Sequence, residues 1–98
     1  MRVIAKKAIV EFYSKHSDAR TALEEWYEKT QSTDWESFLD VKQTFNSADY
    51  VGGERIVFNI KGNQYRLVAL VLYKIKRVYI RFVGTHQEYD RIKDIENI

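Results

Sequence analysis

Two periodicities divide the chain. In the first half apolar residues recur every three or four positions. Ala5, Ala8, Ile9, Phe12 and Tyr13 mark one face of a helix, and Ala19, Ala22, Leu23, Trp26 and Tyr27 mark a second. Ser17 stands where the second helix needs an N-cap. Thr33-Asp34-Trp35-Glu36 has capping-box spacing, so a third, shorter helix is expected to bury Trp35, Phe38 and Leu39. Val3-Ile4 is short enough for an edge strand, and Phe45 to Glu54 reads as a loop ending in Gly52-Gly53. The period then changes. Arg55 to Ile60 alternates, with Ile56, Phe58 and Ile60 on one face. Gln64 to Lys74 is apolar on both faces near its middle, the mark of a central strand. From Arg77 to Val83, Val78, Ile80 and Phe82 oppose Arg77, Tyr79 and Arg81. Thr85-His86-Gln87-Glu88 is a second capping box and opens a short helix through Tyr89 and Ile92. Helices followed by three antiparallel strands give an α+β class. The N-terminal helices pack on one face of a small antiparallel sheet, with a short C-terminal helix.

Length changes this picture little: 98 residues make one domain, residues 1–98. Cysteine is absent, which excludes disulfide scaffolds, thiolate metal sites and cysteine nucleophiles. The longest apolar run, Leu67 to Tyr73, has seven residues, short of the ~18 a membrane helix needs. Met1-Arg2-Val3-Ile4-Ala5-Lys6-Lys7 holds no signal-peptide core, so the expected location is the cytoplasm, with no membrane partner.

Charge changes it more. The net +2 conceals a block, residues 55–87, with seven Lys/Arg and no acid; residues 1–54 sum to −3 and residues 88–98 to −2. A long stretch without a carboxylate raises a positive field that favours polyanions. The same block also suits a solvated sheet edge that discourages aggregation.

Register decides which of these residues meet. Gly62-Asn63 suits a two-residue type II′ turn, which pairs Lys61 with Gln64 and Asn59 with Arg66. A second turn at Ile75-Lys76 would pair Lys74 with Arg77 and Arg66 with Thr85, and a slip of one residue would change the faces. In this register Asn59, Arg66 and Thr85 lie side by side. His86 and Tyr89 follow one helical turn apart, and Arg81 shares the face roughly 13 Å away. The cluster holds a fixed cation, an imidazole, a phenol and an amide. An arginine fork suits a phosphate. An imidazole at a helix start is favoured in its neutral, basic form. The set fits cleavage of a phosphodiester by its neighbouring 2′-hydroxyl, with RNA as substrate and neither metal nor cofactor. Each member also has an ordinary reading: Asn59 ends a strand, Arg66 pairs with Asp90, His86 is inert, Tyr89 anchors a helix, Asp90 decorates a surface.

Other chemistries find less support. No phosphate-binding glycine loop is present, the two histidines lie seventy residues apart, and no serine has a nucleophile-elbow context. Trp26, Tyr27 and Trp35 lie at helical spacing, which marks core.

The segments Val57-Phe58-Asn59-Ile60-Lys61-Gly62-Asn63-Gln64-Tyr65-Arg66-Leu67-Val68 and Tyr79-Ile80-Arg81-Phe82-Val83-Gly84-Thr85-His86-Gln87-Glu88-Tyr89-Asp90 resemble the HigB family of type II toxins. The resemblance runs through the early Lys6-Lys7-Ala8 helix and the Trp35 to Phe45 segment as well. It implies a RelE-like fold and a metal-independent mRNA endoribonuclease that acts on the translating ribosome and inhibits translation. It implies a HigA-type helix-turn-helix antitoxin as partner, with operator DNA engaged only through that complex. Arg66 falls on the catalytic arginine of the wider RelE superfamily. Asn59 stands where that superfamily has a basic residue, His86 near another arginine and Tyr89 near its tyrosine. The implied catalytic set is therefore Arg66, His86, Tyr89 and Asn59, with His86 and Tyr89 sharing acid–base work. Lys61, Asn63, Arg77 and Arg81 are the expected RNA contacts. The competing expectations are a non-catalytic RNA- or ribosome-binding translation inhibitor and an inactive antitoxin-binding module.

Overall fold

The computed structural model describes residues 1–98. A short strand β1 (Arg2–Ile4) leads into α1 (Lys6–Lys15), a 3-10 turn (Ser17–Ala19), α2 (Arg20–Gln31) and α3 (Phe38–Thr44). Strands β2 (Asp49–Gly52), β3 (Arg55–Ile60), β4 (Tyr65–Leu72) and β5 (Arg77–Thr85) follow, then α4 (His86–Asp90) and a last 3-10 turn (Ile95–Asn97). The sheet order is β1-β5-β4-β3-β2. All neighbours are antiparallel except β1, which runs parallel to β5. The α+β class holds, as a five-stranded mixed sheet rather than three antiparallel strands.

The periodicities explain the layers. Ile9, Leu23, Trp26, Trp35 and Val41 from the helical half meet Ile56, Phe58, Ile60, Leu67, Ala69, Val71, Val78 and Ile80 on one face of the sheet. Phe58 lies at the centre, its ring 5.3 Å from Trp26, 5.3 Å from Phe45 and 6.3 Å from Trp35. Burying one such ring contributes roughly 1.5–3 kcal/mol. Val57 and Val68 on the opposite face are also buried. There the Ile98 carbonyl oxygen accepts from Arg55 (2.8 Å) and Arg81 (2.9 Å), so the last residues pass over β4.

Four expectations are corrected. Asp49–Gly52 is a strand, not loop: Asp49 and Tyr50 pair with Val57 and Ile56. Thr33 does not cap α3. Its hydroxyl donates back to the Thr30 carbonyl (2.7 Å), and the chain runs on unwound to Ser37 while Trp35 enters the core. Ser17 does not cap α2 either, because the 3-10 turn runs straight into it through Ala19, whose backbone is helical.

The fourth correction is register. Asn59 pairs with Arg66 as expected, but regular pairing stops at Ile60 and Tyr65. The connection is four residues long, with Lys61 (φ 52°) and Gly62 (φ 66°) in the left-handed region. In the second hairpin Leu72, not Lys74, opposes Arg77, and Arg66 opposes Gly84 rather than Thr85. Two things cause the shift. Tyr73 to Lys76 form a four-residue turn with Lys76 at φ 57°. Arg81 is an extra residue in β5, because Phe82 faces Val68 while Ile80 faces Ala69. That bulge resets the alternation. Phe82 therefore leaves the face of Val78 and Ile80 and joins Arg66, whereas Thr85, opposite Tyr65, is on the helical side.

Candidate active site

The site forms where β3, β4 and β5 end beside α4. Arg66 is 9% exposed. Its guanidinium Nη2 donates to the Asn63 amide oxygen (2.6 Å), and Nη1 donates to the carbonyls of Asn63 (3.2 Å) and Tyr65 (3.3 Å). No carboxylate lies within salt-bridge distance of it; the ion pairs of the chain are all made by other residues. A buried cation is ordinarily paired. Arg66 is oriented by neutral oxygens alone, so its charge remains available to an anion.

Tyr89 stands over this group, the guanidinium carbon 5.9 Å from its ring centroid. Phe82 packs 6.4 Å from the same ring. Gly84 makes room: a Cβ there would lie 2.4 Å from Phe82 Cζ. Burial pushes the Tyr89 phenol above the ordinary tyrosine pKa; the Arg66 charge opposes this, and Asp49 and Asp90 add to it. The phenol therefore keeps its proton at neutral pH.

The capping box at Thr85 fixes α4. The Glu88 amide donates to the Thr85 hydroxyl (3.1 Å), and the Thr85 amide donates to the Glu88 carboxylate (2.8 Å). The next amide, of His86, donates to the Gln64 carbonyl (3.1 Å) and ties the helix to the β3–β4 turn. The His86 side chain meets Asp90 through Nδ1 at 2.9 Å. A carboxylate at Nδ1 holds the ring in one orientation and leaves Nε2 as the nitrogen open to substrate. Asp90 pairs with His86 and not with Arg66.

The structure thus gathers Arg66 and Tyr89, places Asn59 beside Arg66 on the next strand, and puts His86 at the start of the helix bearing Tyr89. Asn59 is exposed. Asn63 holds Arg66 directly. Lys61 extends to Asp18 (2.9 Å) and Arg81 to Ile98. Arg77 lies at the far end of the sheet, six β4 residues from Arg66 and so about 20 Å away. Sequence reasoning placed two residues of the site elsewhere, Asp90 on Arg66 or on the open surface and Phe82 on the face of Val78 and Ile80. Asp90 had a readable signal, four residues after His86 on a helix. Phe82 had none, because the bulge at Arg81 turns it to this face.

The comparisons with known proteins bear on this constellation. Residues 19–92 match the family described as HigB_toxin, RelE-like toxic component of a toxin-antitoxin system. The chain belongs to the HigB toxin family. It is 34% identical over 93 residues to the mRNA interferase toxin HigB of Escherichia coli K12, covering 92% of this chain and 88% of that one. The mRNA interferase HigB of Shigella flexneri matches to the same extent. A HigB mRNA interferase of Escherichia coli O6:H1 is 24% identical over 94 residues, covering 94% and 91%. The resemblance drawn from the β3–β4 and β5–α4 segments is therefore upheld, and Asn59, Arg66, His86 and Tyr89 all fall within the HigB match. Membership of a toxin–antitoxin system implies an antitoxin partner. No helix is long and apolar enough to cross a membrane.

Proposed function

We propose that this HigB-family chain is an endoribonuclease that cuts mRNA on the translating ribosome by attack of the 2′-hydroxyl. The observation that carries the reading is Arg66: a buried guanidinium, oriented by Asn63 and Tyr65, with no acid to neutralise it. A phosphodiester supplies the missing negative charge, and a fixed donor array stabilises the charge that grows on its oxygens during attack.

The remaining groups divide the proton transfers. His86 Nε2, its ring held by Asp90, accepts the 2′-hydroxyl proton. The 2′-oxygen bonds to phosphorus, the bond from phosphorus to the 5′-oxygen breaks, and the Tyr89 phenol gives its proton to that leaving oxygen. The products are a 2′,3′-cyclic phosphate and a 5′-hydroxyl end. Arg66 supplies the positive charge this step requires, so it needs no metal ion. Asn59, exposed beside Arg66, orients the nucleotide. Asn63 lies closest to the scissile bond, Arg81 and Arg77 meet RNA farther along the sheet, and Lys61, its ammonium paired with Asp18 on the helical side, adds positive charge from a distance. A HigA-type helix-turn-helix antitoxin restrains the toxin in the cytoplasm and carries the complex to operator DNA.

Mapping transcript ends after induction tests this. New 5′-hydroxyl ends inside reading frames, lost in an Arg66→Ala variant, support it. Translation arrest with intact transcripts would replace it with the non-catalytic ribosome-binding inhibitor.

A further inference from the structure

Asp18 lies in the 3-10 turn between α1 and α2, on the helical side of the sheet and away from the Arg66 face. One of its carboxylate oxygens accepts from the Tyr65 hydroxyl at 2.6 Å and the other from Lys61 Nζ at 2.9 Å. Those two residues bracket the β3–β4 turn. Inside the same turn Asn63 holds both terminal nitrogens of Arg66, and the Gln64 carbonyl receives the His86 amide. Beside the β4–β5 pairing, the turn is thus a frame shared by the guanidinium and the start of α4, and one carboxylate grips both of its ends.

We infer that Asp18 is a positioning residue for RNA cleavage, fixing the β3–β4 turn and through it the placement of Arg66 and His86. The inference rests on the reading that Arg66 and His86 act on RNA. Three features make the grip stiff. Tyr65 is buried and packed edge-on against Phe12 (5.3 Å) and His16 (5.7 Å), so its hydroxyl has a fixed origin. Lys61 is held at φ 52°, a backbone state that a side chain disfavours unless something retains it. The hydrogen bonds from Tyr65 and Lys61 hold the Asp18 carboxyl below the usual carboxylate range, so it is charged at neutral pH.

A plain electrostatic role predicts the opposite outcome. An acid near a basic RNA face repels RNA, so its removal would tighten binding and leave the chemical rate alone. The test measures cleavage of mRNA on ribosomes as a function of ribosome concentration, with nitrogen-15 spectra of the Arg66 side chain in the free protein. Asp18→Ala is expected to lower the maximal rate about tenfold at unchanged half-saturation, since small misplacements of catalytic groups are costly. It is also expected to collapse the separate Arg66 guanidinium signals as that group gains rotational freedom. Tyr65→Phe, which removes one hydroxyl, should shift both readouts in the same direction by less, and it decides the matter if Asp18→Ala does not fold. A wild-type rate together with unshifted Arg66 signals overturns the inference. Arg66→Ala run beside them separates the two readings. If it still cuts, the proposed mechanism fails, while the Arg66 signals of the Asp18 variant still decide whether the carboxylate positions that group.

Discussion

The turns at the two ends of β4 are built alike. Each has four residues and a lysine in the left-handed region, Lys61 at φ 52° and Lys76 at φ 57°. In each, the amide of the last residue donates to the carbonyl of the first at 3.3 Å. Each lysine reaches an aspartate of the helical half, Lys61 to Asp18 (2.9 Å) and Lys76 to Asp34 (3.0 Å). A non-glycine residue in this conformation costs roughly 1–2 kcal/mol, and in each turn the lysine tie offsets part of that cost. The difference lies in what the turns carry. The 73–76 turn ends in Ile75, which is exposed, and Lys76, which also donates to the Trp35 carbonyl (3.0 Å). It joins the sheet to the segment before α3, and its Lys76 carbonyl accepts the Arg2 amide at the start of β1 (2.8 Å). The 61–64 turn offers its inner groups to Arg66 and His86. Sheet and helices meet through one structural device used twice, and only the 61–64 turn faces an unneutralised buried cation, which is where the proposed chemistry sits.

Breaking the active end should give the largest effect. Arg66→Ala is expected to reduce mRNA cleavage at least a hundredfold and to abolish growth arrest, because fixed donors on a developing oxyanion contribute that much. The thermal transition should persist, since Arg66 forms no ion pair that folding depends on. Full toxicity of this variant would remove the turn's claim to chemistry and make the two ends equivalent.

Asn63 sharpens the contrast, because its partner at the other turn, Ile75, has no such duty. Asn63→Ala deletes the 2.6 Å acceptor of Arg66 and should lower cleavage about tenfold, in line with one hydrogen bond to a charged group. Asn63→Asp should cut it further, although it keeps the acceptor. A carboxylate at that distance neutralises the guanidinium and competes with the phosphate. Cleavage rates in the order wild type, Ala, Asp indicate that the free charge matters; the order wild type, Asp, Ala indicates that orientation alone does.

Much of this was legible in the residues. The helical stripes of α1 and α2, the alternation of β3 and the Thr85 capping box are local patterns with local causes. The Asn59–Arg66 pairing follows from the turn that Gly62 announces, whose φ of 66° favours a residue without a side chain. The second hairpin was not legible, because a bulge at Arg81 and a left-handed Lys76 leave no glycine to announce them. Strand β2 escaped for a related reason: four residues with two exposed side chains show no hydrophobic alternation, and only pairing to β3 makes them a strand. The site's key property was invisible too. Nothing in the order of residues says that Arg66 would find only neutral acceptors.

The inert end should respond to mutation in stability alone. Lys76→Met removes the ties to Asp34 and Trp35 while the backbone keeps its left-handed turn. The pair is largely exposed, so the loss should stay below about 1 kcal/mol, seen as a small drop in denaturation midpoint. Cleavage should be unchanged. A fall in cleavage without a fall in stability would show that the two ends of β4 communicate.

The smallest effect concerns acid and separates α4, which belongs to the active end, from the rest of the fold. Hydrogen bonds with Thr85 hold the Glu88 carboxyl below its ordinary pKa. A carboxylate with a depressed folded-state pKa contributes stability that is present above its unfolded pKa and is lost as pH falls through the folded value. Wild type should therefore exceed Glu88→Gln in thermal stability at neutral pH, by less than about 1 kcal/mol because the cap is exposed. The gap should close as the solution is acidified past the ordinary glutamate range. Because the His86 amide is bonded to Gln64, loosening the cap also frees the start of α4, and cleavage by the Gln variant should fall at neutral pH more than its stability does. Equal stability of the two proteins at neutral pH would mean that the Gln64 bond and the packing of Tyr89 on Phe82 hold α4 without the cap.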